Sequence, residues 1–228
     1  MVSAPPRAAA NCQQTGFAYR FDWGLAGLQS LAPVSDVVIL VDILQFTSAV
    51  SAGVEGGSVM LPFPPDFAPG TGEANGSRLA CAARGLGDAR ILAGALRNAS
   101  ATARFAKTIA GPDGVISVIA AGEQPLGGPD RVRFAFEDLV GAGAILCALD
   151  FSGAVGGARC SPEASTARAA FNFARPRLFH HLSECVSGRE LIACGREDDV
   201  VASAAHDVTV IVAELVGNEF VGTALSGA

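Results

Sequence analysis

Acidic and amide side chains recur directly after apolar segments of this sequence, at the points where parallel strands of an α/β sheet would end. Asp42 follows the apolar run 37–41, Glu123 follows the run 115–121, and Asn98 follows another candidate strand. In open α/β sheets, ligands bind beyond the carboxyl ends of the strands. The sequence therefore predicts that these three loops border the functional site.

The starts of the following helices supply the other candidates: Thr47, Ser48, Asn75, Gly76, Ser77, Glu137 and Asp138. Carboxylates bind Mg²⁺ through their oxygen atoms. Free backbone N–H groups at helix starts bind phosphate. Interleaved carboxylates and helix starts therefore predict a metal-assisted phosphoryl site, in which the metal polarises the phosphoryl oxygens and lowers the pKa of a bound water.

Each candidate also has a purely structural interpretation. Asp42 at a strand end and Asn98 before a helix occupy positions where capping residues are common. Glu137 and Asp138 lie in the first turn of a helix, where the macrodipole favours acidic side chains whatever the function. The pair Asn75-Gly76 is a common turn dipeptide. Position alone leaves both interpretations open for these residues.

Several familiar catalytic motifs are absent from the sequence. There is no phosphate-binding loop of the G-x-x-x-x-G-K-[ST] type and no G-x-S-x-G motif. Leu44 stands where a haloacid-dehalogenase-type phosphatase would have its second aspartate after Asp42. The six cysteines form no C-x-x-C pair, which argues against a thiolate zinc site.

Composition limits the partners and the location. The net charge is −6 and Lys107 is the single lysine of the 228 residues, which argues against nucleic-acid binding. The apolar run 37–41 is far too short to span a membrane. Residues 1–15 lack the apolar core of a secretory signal and are predicted to be a disordered leader. We therefore expect a cytoplasmic protein that binds neither nucleic acid nor a membrane.

Candidate strands and helices alternate along the rest of the chain. The predicted strands cover residues 16–21, 36–42, 58–62, 89–95, 115–121 and 208–212. The predicted helices cover residues 23–31, 46–54, 77–84, 100–109 and 137–149, followed by short helices from Ser161-Pro162 to about residue 205. This alternation predicts a single α/β domain over residues 16–228, a three-layer α/β/α sandwich with a mostly parallel central sheet.

Five of these stretches, taken in order, resemble the 2-phosphosulfolactate phosphatase family. They cover residues 37–48, 75–77, 92–98, 118–123 and 136–143, and residues 182–191 and 197–199 are similar to the C-terminal region of the family. The resemblance implies an α/β/α fold and a Mg²⁺-dependent phosphatase. The family removes phosphate from 2-phosphosulfolactate in coenzyme M biosynthesis, so the expected substrate is that compound or a similar small 2-phospho acid.

The resemblance supports the position of the candidate residues in the site, and their individual roles are our inference. Asp42, Glu123 and Glu137 are expected to be catalytic, and Asp42, Glu137 and Asp138 to bind the metal. The expected phosphate-binding residues are Thr47, Ser48, Asn75, Gly76, Ser77 and Asn98.

The sequence departs from the family in the segment 62–74, which is shorter than usual, and in Gln45, where the family often has Arg or Ser. A lost strand would expose a sheet edge unless a partner covers it. An alternative is therefore a non-catalytic homologue that binds an anionic metabolite or serves as an assembly subunit. A generic cofactor-binding domain would need a glycine-rich dinucleotide loop, which is absent. Apolar helices rich in Ala and Gly favour a homodimer.

Overall fold

The computed structural model describes residues 12–62, 75–123, 132–149 and 159–224. Its strands are β1 (Tyr19–Trp23), β2 (Val37–Val41), β3 (Arg90–Gly94), β4 (Ile116–Ala120), β5 (Ile211–Val216) and β6 (Glu219–Ala224). Its α-helices are α1 (Gly24–Leu31), α2 (Phe46–Glu55), α3 (Asn75–Ala83), α4 (Ala99–Ala110), α5 (Phe136–Leu149), α6 (Pro162–Ala174), α7 (Leu178–Glu184), α8 (Val186–Ala193) and α9 (Glu197–Ala204). Residues 1–11 of the expected leader and 63–74 of the shortened segment lie outside the described residues.

The described strands form one six-stranded sheet in the order β1-β4-β2-β3-β5-β6. The first four strands of this order run parallel, whereas β5 is antiparallel to β3, and β6 is antiparallel to β5. Val41, the last residue of β2, lies opposite Ala120 of β4 and Gly94 of β3. The carboxyl ends of the three central parallel strands are therefore level with one another.

Both faces of the sheet are covered by helices, which confirms the predicted three-layer α/β/α architecture. In β2, Val37, Ile39 and Val41 pack on one face together with α4, α5 and α6, because successive side chains of a strand point to opposite faces. Val38 and Leu40 pack on the other face with α1, α2 and α3. All five residues of β2 are buried, as the unbroken apolar run predicts.

Three predicted strands differ from the structure. The first, predicted over residues 16–21, is displaced along the chain, because β1 covers Tyr19–Trp23. Residues 58–62 contribute only an isolated antiparallel bridge between Met60 and Phe220. The last predicted strand, 208–212, begins later, at Ile211, because the backbone N–H groups of Val208 and Thr209 donate to the carbonyl of Arg97 instead of joining the sheet. Strand β6, which forms a hairpin with β5, was not predicted from the sequence.

Segments of the same chain pair with both edges of the sheet. At the β6 edge, the backbones of Met60 and Phe220 exchange two hydrogen bonds, of 3.0 and 2.7 Å. At the β1 edge, in a parallel bridge, the backbone N–H of Tyr19 donates to the carbonyl of Arg159 at 2.7 Å and the carbonyl of Tyr19 accepts from Ser161 N–H at 2.9 Å. These contacts cover part of the backbone that a missing strand would otherwise leave open to another chain.

Candidate active site

An acidic cavity lies beyond the carboxyl ends of β2 and β4. Its volume is about 330 Å³, and its lining includes Asp42, Asn75, Gly122, Glu123, Glu137 and Asp138. Phe46, Asn75 and Glu137, which also line it, are the first or second residues of α2, α3 and α5. Four carboxylates and three helix N-termini therefore meet at one opening.

Asp42 connects the starts of two helices. It follows β2 directly and is buried, and its Oδ2 atom accepts a hydrogen bond of 2.7 Å from the backbone N–H of Gly76 in α3. Its carboxylate also accepts one from the backbone N–H of Phe46, the first residue of α2. Burial raises the pKa of Asp42 to about 6, and the negative charges of Glu123 and Glu137 act in the same direction.

Gly76 and Asn75 bring α3 against the cavity. A Cβ atom on Gly76 would lie 2.5 Å from Phe46 Cδ1 and 2.8 Å from Asp42 Oδ2, so only glycine allows this close approach. The side-chain amide of Asn75 donates to the carbonyl of Gly122 at 2.6 Å. Asn75 and Gly76, which the sequence favoured as a turn, are therefore the first two residues of α3 and connect it to the loops that follow β2 and β4.

Asp138 joins the same two loops from the other side. Its Oδ1 accepts from the backbone N–H of Ile43 at 2.8 Å, and its Oδ2 accepts from the backbone N–H of Gly122 at 2.9 Å. Burial raises the pKa of Asp138 well above its ordinary value, and the charges of Asp42 and Glu137 raise it further. The geometry identifies Asp138 as a residue that positions the two loops.

Glu123 has a backbone partner and a side-chain partner. Its backbone N–H and carbonyl pair with Arg133 at 3.0 and 2.6 Å, and its carboxylate accepts from the Ser187 hydroxyl at 2.9 Å. Burial raises the pKa of Glu123, whereas the hydrogen bond from Ser187 lowers it. Ser187 lies on α8, far along the chain, and no local pattern in the sequence indicated it.

Glu137 lies in the first turn of α5 and is 2% exposed. The Cys185 thiol is in hydrogen-bonding contact with its carboxylate. Burial, together with the charge of Glu137, raises the pKa of Cys185 to about 12, so this thiol stays protonated and is a poor nucleophile.

The hydroxyl groups of Thr47 and Ser48 stabilise the loop between β2 and α2. Thr47 Oγ1 donates to the carbonyl of Asp42 at 2.8 Å and lies 3.0 Å from its backbone N–H, and Ser48 Oγ donates to the carbonyl of Ile43 at 2.9 Å. Ser77 is buried in the first turn of α3. All three residues lie in the helix turns next to the acidic cavity, although the described lining of the cavity does not include them.

Asn98 lies apart from the other candidates, at the end of β3. It is fully buried, and its side chain accepts from Ala95 N–H at 2.8 Å and donates to the Ala93 carbonyl at 3.3 Å. It occupies the N-cap position of α4 but makes no side-chain capping bond to that helix. The carboxylate of Asp207 instead accepts from the backbone N–H and the hydroxyl of Ser100, both at 2.7 Å. The expected capping bond of Asn98 is therefore wrong.

Within the described ranges, no group of three or more His, Cys, Asp or Glu side chains has the geometry to hold a metal ion. The donor set nevertheless suits Mg²⁺, which keeps several waters and binds proteins through about one or two carboxylates. Asp42 and Glu137 line the same cavity, and their charges repel each other. A divalent cation beside them would relieve this repulsion, so the residues fit a hydrated Mg²⁺ better than an all-protein cage.

Gln45 also lines the cavity, and its side chain is held from α9. Its amide donates to Asp199 Oδ2 at 2.9 Å, and the same oxygen accepts from Arg196 Nε at 2.7 Å. Asp199 belongs to the C-terminal stretch whose resemblance to the family was noted in the sequence. This contact connects that stretch to the loop that follows Asp42.

In the part of the chain that the structure describes, no helix combines the length and the apolar character that a membrane span requires. No curated protein matches the sequence. The family model described as 2-phosphosulpholactate phosphatase matches residues 73–218, a range that includes Asn75, Glu123, Glu137 and Asp138 and begins after the Asp42 loop. Because the match covers more than half of the chain, the chain belongs to the 2-phosphosulpholactate phosphatase family, a family of phosphoric monoester hydrolases.

Proposed function

We propose that the chain is a Mg²⁺-dependent phosphatase that hydrolyses 2-phosphosulfolactate or a similar small 2-phospho acid in the acidic cavity. The observation that carries the proposal is the meeting of four carboxylates with the N-termini of α2, α3 and α5 at one opening. Membership of the phosphatase family supports the same reaction class.

The electrostatics of the cavity support a metal. Four carboxylates around one opening would repel a phosphate dianion, while the helix N-termini would attract it. A divalent cation between the carboxylates and the phosphate reverses the repulsion, because it carries the largest local charge in such a site.

Asp42 and Glu137 are the proposed metal ligands. An ionised carboxylate has about four lone-pair sites, so Asp42 can bind a cation while it accepts from Gly76 and Phe46. Asp138, whose two oxygens accept from two backbone amides, positions the loops around them. Bound Mg²⁺ would withdraw charge from the phosphoryl oxygens and lower the pKa of water at the site.

Glu123 is the proposed general base. Water adds to phosphorus while Glu123 takes up its proton, the bond between phosphorus and the alcohol oxygen breaks, and the proton is returned to that oxygen. The products are the free alcohol and inorganic phosphate. Burial raises the pKa of Glu123 above its ordinary value, which makes it a stronger base, and the hydrogen bond from Ser187 limits that rise.

The phosphate is proposed to lie against the first turns of α2 and α3. These turns carry Thr47, Ser48, Asn75, Gly76 and Ser77. Their contribution comes from the helix N-termini, because the hydroxyls of Thr47 and Ser48 are engaged with loop carbonyls. Asn98 is proposed to act indirectly, by stabilising the loop at the end of β3 through its hydrogen bonds to Ala93 and Ala95.

The proposal extends to partners and location. A cytoplasmic protein without nucleic-acid partners agrees with the net charge of −6 and the single lysine. A homodimer is supported by exposed aromatic side chains on neighbouring helices, Phe173 and Phe179. A role in coenzyme M biosynthesis depends on the substrate being 2-phosphosulfolactate.

A non-catalytic anion-binding homologue is the second candidate. One observation favours it, because the family match begins at residue 73 and leaves the loop with Asp42 outside. Turnover separates the two candidates directly.

The test is release of inorganic phosphate from 2-phosphosulfolactate and 2-phospholactate, with Mg²⁺ and with EDTA. We expect release that EDTA abolishes, in the wild type and in the control Glu219→Gln, which changes an exposed glutamate on β6. Glu137→Gln should remove it. Folded wild-type protein that releases no phosphate with Mg²⁺ would support the second candidate and refute the first.

A further inference from the structure

A second cavity adjoins the acidic cavity. This aromatic cavity has a volume of about 550 Å³, and its lining includes Arg133, Phe134, Phe136, His181, Val186 and Ser187. Glu137 lines both cavities. Ser187 of the aromatic cavity donates to Glu123 of the acidic cavity at 2.9 Å. The two cavities therefore meet at the side chains of Glu137 and of the Glu123–Ser187 pair.

The aromatic cavity presents apolar side chains to solvent. Phe134 is 57% exposed and Val186 is 54% exposed, although both lie next to buried residues of the site. The ring of Phe136 packs against the ring of His181, with 6.1 Å between their centroids. Exposed apolar groups that line a concave space favour a ligand that removes them from water.

A cationic residue lies at the boundary of the two cavities. Arg133 lines the aromatic cavity, and its backbone is held by two hydrogen bonds to the backbone of Glu123. Its guanidinium group is always charged and matches a carboxylate in geometry. The positive charge of Arg133 also acts on the carboxylate of Glu123, so it lies close to the proposed reaction centre.

We propose that the aromatic cavity binds the alcohol part of the substrate. The substrate is then a phosphate monoester of a 2-hydroxy acid that carries an apolar group of about the size of a phenyl ring. Its phosphate lies in the acidic cavity, its carboxylate beside Arg133, and its apolar group against Phe134, Phe136 and Val186. This inference rests on the proposed phosphatase function, because the phosphate fixes which cavity holds which end.

The relative sizes and chemistry of the cavities support this assignment. The acidic cavity, at about 330 Å³, accommodates a phosphate with its metal and waters, whereas the larger space beside it has mainly apolar walls. A three-carbon acid with a second anionic group would leave those walls in contact with water. A substrate with an apolar group gains from covering them.

The test compares three esters built on one scaffold: 2-phospholactate, 2-phosphosulfolactate and 2-phospho-3-phenyllactate. We expect kcat/KM, measured by phosphate release with Mg²⁺, to be at least about tenfold higher for the phenyl compound than for 2-phospholactate. Phenethyl phosphate, which lacks only the carboxylate of the phenyl compound, should lose this advantage in the wild type. The kcat/KM for phenethyl phosphate should be the same in Arg133→Gln as in the wild type, because this ester has no carboxylate for Arg133 to bind.

Val186→Phe narrows the aromatic cavity and should reduce kcat/KM by a much larger factor for the phenyl compound than for 2-phospholactate. Val208→Phe is the matched control, because Val208 is exposed to a similar extent, 57%, and lies away from both cavities. Equal kcat/KM for the three esters, or equal effects of the two variants, would overturn the inference and leave the phosphatase function standing. Absence of turnover on all esters by folded protein would refute the phosphatase function itself.

Discussion

The same sequence signal, a polar residue after an apolar strand, occurs at the carboxyl ends of β2, β4 and β3. Among these three, only the ends of β2 and β4 border the acidic cavity. Asp42 and Glu123, which follow β2 and β4, line an open cavity. The side chain of Asn98, which follows β3, instead forms its hydrogen bonds with backbone groups of its own loop, at Ala93 and Ala95. The polar residue therefore indicates where a strand ends. Whether a site forms there depends on how the surrounding segments of the same chain fill the space.

The segments around these strand ends differ because of the order of the strands in the sheet. The space beyond β3 is filled by the segment that leads into the antiparallel strand β5, where Asp207, Val208 and Thr209 donate to the carbonyls of Leu96 and Arg97. Beyond β2 and β4, the chain departs to helices on opposite faces of the sheet, α2 on one and α5 on the other. Such a divergence leaves the crevice in which ligands of open α/β sheets bind.

The largest expected effect is on activity, at Glu137. Glu137→Gln should lower kcat/KM for the best ester by about hundredfold or more, because a preorganised charge at the reaction centre is lost. The measurement is steady-state phosphate release, with Glu219→Gln as the control for the same change at an exposed position. Comparable rates for the two variants would remove Glu137 from the site.

The next effect is on stability, at Asp138. Asp138→Ala should lower the free energy of unfolding by about 3 kcal/mol, because the backbone amides of Ile43 and Gly122 lose their acceptor. Denaturant unfolding measures it, and Asp198→Ala, at an exposed position of α9, is the control. A change no larger than that of the control would mean that the two loops do not depend on this carboxylate.

At the end of β3, Asn98→Ala should lower the free energy of unfolding by about 2 kcal/mol, since Ala95 N–H is left without its acceptor. Activity per folded molecule and its dependence on Mg²⁺ should stay at the wild-type level. A rise in KM with unchanged stability would contradict this and restore Asn98 as a phosphate-binding residue.

The last expected effect is a pH dependence of stability from Asp42. Burial raises its pKa from 3.8 in the unfolded chain to about 6 in the folded protein. Between these values the folded state binds more protons than the unfolded state, so this group makes stability fall as pH rises from about 4 to above 6. Tm in EDTA, compared between the wild type and Asp42→Asn, should fall more steeply over this pH range in the wild type, because the raised pKa values of Asp138 and Glu123 act in both proteins. Parallel curves would contradict it.

The sequence predicted most of the fold because the relevant signals are local. The apolar run of β2, the Ser161-Pro162 helix start and the alternation of strands and helices each follow from backbone and burial preferences. Ser161 does cap α6, accepting from Ala164 N–H at 3.1 Å. The strand β6 was missed because it is a partly exposed edge strand whose pairing depends on β5.

The roles within the site were less predictable because they depend on contacts between distant elements. Asp138 carries the same helix-start signal as Glu137, and only the amides of Ile43 and Gly122 reveal that it positions two loops. Ser187 and Arg133 reach the site through Glu123, without a motif of their own. The sequence thus predicted acidic residues that line one cavity, and the folded chain shows that Asp138 both lines this cavity and positions two loops.

The most direct test of the account is the effect of Mg²⁺ on Tm at neutral pH. At Mg²⁺ about a hundredfold above its Kd, binding should stabilise the wild type by about 2.7 kcal/mol. Asn98→Ala, although less stable, should gain as much, whereas Glu137→Gln should gain much less. No gain in the wild type, or an equal gain in Glu137→Gln, would contradict the claim that the crevice between β2 and β4 holds the metal.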